Sequence, residues 1–139
     1  IKNLKKKKLI NNFKKKIIFQ LMPNCPFRNS NDIKKLFKIF KKKRSNSLVS
    51  HNRILFGNPW WSIIFSKQKI VRLFNNSYSK RSQDLPSILV PSGAVWIAKL
   101  SFFMKTKTFY GKNYSVGELD WRNSIDIDDI KEFNIAKKL

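Results

Sequence analysis

At 139 residues, with 42% hydrophobic and 14% aromatic content, the chain can bury one core, which excludes a two-domain organisation. Its formal net charge of +22, from 30 Lys and Arg against 8 Asp and Glu, points first to nucleic acid through counterion release, but no window carries a zinc-finger, helix-turn-helix or RNP-type pattern. A single cysteine, Cys25, excludes an intrachain disulfide and a multi-cysteine zinc site and fits a reducing cytoplasm, while no apolar run is long enough to span a bilayer.

The chain opens with Ile1, Leu4, Leu9, Ile10 and Phe13 spaced among Lys and Asn, a loose helical pattern expected to be the tail of a helix lying on a sheet. It has neither the continuous apolar stretch nor the cleavage site of a signal peptide, and without an initiator Met it reads as the interior of a longer protein. Ile17-Ile18-Phe19-Gln20-Leu21-Met22 is an apolar run stopped by Pro23, expected as a buried strand of the parallel kind. The loop Pro23-Asn24-Cys25-Pro26-Phe27-Arg28 follows, and Asn29, Ser30 or Asp32 can cap a helix in which Ile33, Leu36, Phe37 and Phe40 recur at three and four residues. The Lys41-Lys42-Lys43-Arg44 run suits that helix's C-terminal dipole.

Ser47-Leu48-Val49-Ser50 resumes as a strand, so the first strand, the helix and this one form a unit with a right-handed connection and parallel strands. Ligands of open α/β sheets gather at the carboxyl ends of such strands, which places the 23–28 loop where a site is expected. Residues 56–82 change to aromatic, β-rich segments around the polar Ser66-Lys67-Gln68-Lys69 turn, and are expected to form a hairpin-like insertion. Gly93-Ala94-Val95-Trp96-Ile97-Ala98 is a further buried strand, a short helix is expected over 100–104 and a short strand over 114–116. A helix from about Asp128 should turn Ile130, Phe133, Ile135 and Leu139 inward.

Ser124-Ile125-Asp126-Ile127-Asp128-Asp129 carries the strongest chemical signal. Alternate residues of an extended segment share a face, so Asp126 and Asp128 can hold one hard cation that keeps water or phosphate in its remaining positions. The alternative is that Asp128 or Asp129 only caps the last helix. Arg81-Ser82-Gln83-Asp84-Leu85-Pro86 presents an arginine to an anion or is an ordinary solvated loop. Cys25 lacks a basic partner pattern, so a structural thiol is expected, and lone His51, just past a strand, is expected on the surface or in packing. Trp60-Trp61 beside Pro59 can stack a base or sugar, or mark a core or subunit interface.

Taken in order, these segments resemble the acylneuraminate cytidylyltransferases over nearly the whole chain. Leu21-Met22-Pro23-Asn24-Cys25-Pro26-Phe27-Arg28 is similar to the family's Leu-Gln-Pro-Thr-Ser-Pro-Leu-Arg, Pro91-Ser92-Gly93-Ala94-Val95-Trp96-Ile97 to its Pro-Asn-Gly-Ala-Ile-Tyr-Ile, and Ser124-Ile125-Asp126-Ile127-Asp128 to its metal-binding Ser-Ile-Asp-Ile-Asp. The resemblance implies an α/β, Rossmann-like nucleotidyltransferase fold in which residues 1–139 are the C-terminal part of one cytidylyltransferase domain, with a partial sheet and a β-rich dimerisation insertion at about 56–82. It implies joining of a nonulosonic acid to CMP from CTP with release of pyrophosphate, for surface glycans, with Mg²⁺ on Asp126 and Asp128 as catalytic metal ligands. Asn24, Arg28, Arg81, Gln83, Ser92 and Trp96 are implied on the substrate side. Met22 replaces the family's Gln and Ser92 its Asn, which points to a different nonulosonic acid. The family's glycine- and basic-rich CTP loop has no counterpart here, so the fragment alone is expected not to turn over CTP, and its open sheet edges predict poor solubility. The expected assembly is a cytoplasmic homodimer without membrane or nucleic-acid contact. The rival readings are a basic nucleic-acid-binding module and an inactive truncated homologue retained for dimerisation.

Overall fold

A computed structural model describes residues 16–139; the expected N-terminal helix tail and the Lys run at 5–8 lie outside the described residues. Four strands form one mixed sheet, and two more form a separate hairpin. β5 (Leu89–Lys99) pairs antiparallel with both β1 (Ile17–Gln20) and β2 (Ser47–Arg53), and β2 pairs parallel with β6 (Ser115–Glu118). Strands β1, β2 and β6 therefore run in one direction with β5 reversed between the first two.

The expected strand-helix-strand unit is present, with its two strands co-directional but not adjacent. A correction concerns β1, which is half-buried to exposed along its length and pairs antiparallel rather than parallel. An apolar run signals a strand, but pairing direction depends on which strand arrives beside it, and here the paired residues, Ile17 with Lys99 through Gln20 with Trp96, are 82 to 76 positions apart.

Helix α1 (Ser30–Lys42) forms because Asn29 caps it with a full capping box: Asn29 Oδ1 accepts from the Asn31 and Asp32 amides at 2.8 and 3.2 Å, and Asp32 Oδ2 accepts from the Asn29 amide at 2.9 Å. Its basic last turn suits the helix dipole. Leu36 and Phe40 lie in the core with Leu48, Val95, Ile97, Leu119 and Cys25 on one face of the sheet. The other face packs Val49, Ala98 and Phe109 beneath α2 (Leu100–Thr106) and the following loop. Alternation along β5 divides the faces, Val95 and Ile97 toward α1 and Trp96 and Ala98 toward α2, so a strand covered on both sides reads as a continuous apolar run.

The expected insertion is observed as the hairpin β3 (Ile63–Ser66) and β4 (Lys69–Arg72), with Ser66 paired to Lys69. Lys67 and Gln68 both take positive φ, as a two-residue turn matching strand twist requires. All eight strand residues of this hairpin are exposed.

Helix α3 (Ile130–Ala136) is also a correction. Its existence is as expected, but Ile130, Phe133, Ile135 and Leu139 are all exposed and only Ala136 is buried. His51 is a further one: it lies within β2 and is buried, not past the strand. No helix among the described residues is long and apolar enough to cross a membrane.

Candidate functional site

Two loops meet at the carboxyl ends of co-directional strands, 21–28 after β1 and 119–129 after β6. A single backbone rung joins them, the Ile127 amide donating to Asn24 O at 3.0 Å. On either side of that rung the side chains pair as well. Asn24 Nδ2 donates to Asp128 Oδ1 at 3.0 Å, and the Cys25 thiol lies 3.9 Å from Asp126 Oδ1.

The cap of α3 decides which aspartate does what. Asp129 is the N-cap: its Oδ1 accepts from the Glu132 amide at 2.8 Å, and Glu132 Oε2 accepts from the amides of Asp128 and Asp129 at 2.7 and 3.3 Å. Neither Asp126 nor Asp128 gives its carboxylate to the helix, so both remain for other chemistry. Burial pushes the Asp126 carboxyl above its ordinary range, and the nearby charges of Asp128 and Glu132 push it further the same way. Burial first, then the charge of Asp126, raises the Cys25 thiol to about 11, which makes it a neutral packing and hydrogen-bonding group rather than a nucleophile.

A break in the β2–β5 ladder shapes the floor of this site. Val49 faces Trp96 and His51 faces Pro91, so Ser50 alone stands opposite residues 92–95. Ser50 Oγ replaces the missing ladder bonds, accepting from the Val95 amide and donating to Ser92 O, both at 3.0 Å. Freed from the ladder, the bulge offers its carbonyls to the first loop: Gly93 O accepts from the Met22 amide at 3.2 Å, and Ala94 O accepts from Arg28 Nη1 at 2.9 Å. The same Arg28 nitrogen donates to Met22 O at 2.8 Å. Gly93 is needed as glycine because a Cβ there would lie 2.9 Å from Met22 Cγ and 3.2 Å from Asp126 Oδ2.

The other expected site residues are placed variously. Ser92 is buried, with its hydroxyl 2.9 Å from Ser50 Oγ. Trp96 lies on the opposite face of β5 from Val95, its Nε1 donating to Ser92 O at 2.6 Å and its ring edge-on to Tyr110 at 5.4 Å. Arg81 is exposed and forks onto Asp84. Gln83 lines a cleft of about 570 Å³ with Asn58, Trp60, Trp61 and Pro86, and neither Asp126 nor Asp128 is among the cleft's lining residues. Trp60 is half-buried, fixed by Nε1 to Pro86 O at 2.8 Å.

An aromatic chain escaped the sequence reading. His51 stacks on Tyr114 at 6.0 Å, and Tyr114 meets Tyr110 at 5.6 Å, which continues to Trp96. His51 Nδ1 lies 3.0 Å from Val49 O, which can only accept, so the proton sits on Nδ1 and Nε2 faces the Tyr114 hydroxyl at 3.5 Å. The sequence signal, Tyr110 and Tyr114 four residues apart, has a helical spacing, but the residues between them form no helix, so the period misleads.

Among the described residues no group of three or more His, Cys, Asp or Glu side chains is arranged to hold a metal. The donor set at 126 and 128 is a pair of carboxylates. That set suits a hard cation that keeps water or phosphate oxygens in its open positions, and not a closed protein cage.

No family model matches the chain. It is 29% identical over 119 residues to an N-acylneuraminate cytidylyltransferase of Escherichia coli, covering 84% of this chain and 28% of that protein. It is 24% identical over 123 residues to post-translational flagellin modification protein B of Campylobacter coli, covering 88% of this chain and 52% of that one. The resemblance to acylneuraminate cytidylyltransferases is thus borne out along most of the chain, which itself spans only about a quarter to a half of the length of these relatives.

Proposed function

We propose that this chain supplies the metal-binding and sugar-side part of a cytidylyltransferase that joins a sialic-acid-like nonulosonic acid to CMP, consuming CTP and releasing pyrophosphate, for surface glycan biosynthesis. The observation that carries the reading is the pair Asp126 and Asp128, left out of the α3 cap and latched to the first loop by Asn24 and Cys25. A bound Mg²⁺ would offset the charge that builds on the triphosphate as the sugar's anomeric hydroxyl attacks the α-phosphorus. Asp126 and Asp128 are the groups that would hold it. Arg28 fixes the loop that carries Asn24 by bonding two carbonyls, and Gly93 leaves room for the Asp126 carboxylate. On the sugar side, Trp96 and Tyr110 offer an edge-on aromatic pair, and Gln83 and Arg81 are the exposed residues that the resemblance implies, while Ser92 contributes from the core through its bond to Ser50.

The reading extends to a cytoplasmic homodimer through residues 56–82, supported by the exposure of Phe56 at 87%, Phe65 at 69% and Ile70 at 64%. The net charge of +22 favours one second reading, a nucleic-acid-binding module, and a salt titration of RNA binding separates the two by its slope.

The deciding assay follows pyrophosphate release by the gene product that carries this chain, with CTP, Mg²⁺ and a panel of nonulosonic acids. Release with one sugar that falls to background in Asp128→Asn supports the proposal. No release with any sugar sinks it and favours an inactive homologue.

A further inference from the structure

We infer that Asn24 is a positioning residue that fixes the carboxylate of Asp128 for cation binding, in place of a substrate contact; this rests on the metal reading above. The rung between the Ile127 amide and Asn24 O brings the two loops into register and sets the Asn24 side chain beside Asp128. Of the two ends of that amide only the NH₂ can meet a carboxylate, so the 3.0 Å contact fixes which way the side chain points. Asp128 is exposed, and an exposed carboxylate on a short side chain otherwise samples several rotamers. The Asn24 bond holds it in one and occupies a single lone pair of Oδ1, leaving the rest of the group for a ligand.

A second observation separates positioning from packing. Asn24 Oδ1 is buried without a hydrogen-bond partner among the described residues. A buried acceptor in that state lowers stability, and a leucine of similar shape would remove the penalty. The stability added by the bond from Asn24 Nδ2 to Asp128 is therefore offset by the unsatisfied Oδ1, and the fold gains little net from the polarity of this side chain. What asparagine alone supplies at 24 is an N–H aimed at Asp128.

The test is a titration of the gene product that carries this chain with Mn²⁺, reading free Mn²⁺ by electron paramagnetic resonance, beside thermal melts in metal-free buffer. Wild type should bind one Mn²⁺ and Asp128→Asn should lose it. Asn24→Leu should weaken binding by about tenfold or more while its metal-free melting temperature stays at or above that of wild type. Wild-type affinity in Asn24→Leu, with binding still lost in Asp128→Asn, overturns the positioning role and leaves the metal reading intact. A parallel fall of affinity and melting temperature overturns it too, since that is what a structural residue does. Absence of Mn²⁺ binding by wild type removes the metal reading and this inference together. If Asn24→Leu does not fold, Asn24→Ala is read by the same two measurements.

Discussion

Helices α1 and α3 begin with the same device and end in different places. Each has a complete capping box, Asn29 with Asp32 in one and Asp129 with Glu132 in the other. Yet α1 buries Leu36 and Phe40 in the sheet core, whereas α3 leaves Ile130, Phe133 and Ile135 in solvent. A cap satisfies amides that the first helical turn leaves unbonded, and that is a local matter. Burial depends on a surface being there to receive the helix. The two boxes also differ in reach. Asp32 is itself buried and takes a bond from Asn123 Nδ2 at 3.0 Å, tying α1 to the segment that leads into the aspartate pair, while the Asp129 box is exposed and reaches no further than the amide of Asp128, one residue before its cap.

The comparison sharpens most at the two apolar faces. Leu36→Ala empties a fully buried position and should cost about 2–5 kcal/mol in chemical denaturation. A loss under about 1 kcal/mol would mean that α1 is not part of the core. Next comes Asp32→Ala, which removes the acceptor for both the Asn29 amide and Asn123, with an expected loss of about 2 kcal/mol. Asp129→Ala removes the N-cap carboxylate of α3, whose one bond is to the Glu132 amide, and about 1 kcal/mol or less is expected. Equal losses for the two caps would erase the distinction between them. Smallest should be Ile135→Ala, within about 0.5 kcal/mol of wild type, because the side chain is 62% exposed. A larger loss there would show that α3 is covered in solution.

The site divides along similar lines. The nearness of Asp126 and Asp128, felt in the charge of one on the other, was legible because a two-residue spacing needs only local geometry. Sequence left open whether Asp128 or Asp129 capped the helix, since both stand where an N-cap is plausible; the hydrogen bonds of Glu132 resolve it in favour of Asp129. Arg28 carried no sign of its two carbonyl partners, because one of them, Ala94 O, is freed only by the register break at Ser50. Ser92 likewise looked available from its place in a motif, but its hydroxyl faces Ser50 in the core.

From the amino-acid sequence alone came the order of strands and helices, the α1 cap and inner face, the hairpin at 63–72 and the aspartate pair, each a product of period, turn chemistry or short spacing. The tertiary structure alone decided that β5 runs between and against β1 and β2, that α3 keeps its apolar residues outside, and that Asn24, Cys25 and Gly93 converge on Asp126 and Asp128. Those outcomes join residues about 30 to 100 positions apart. No local pattern encodes such a meeting, because the free energy that selects it comes from burying one complete set of surfaces against another.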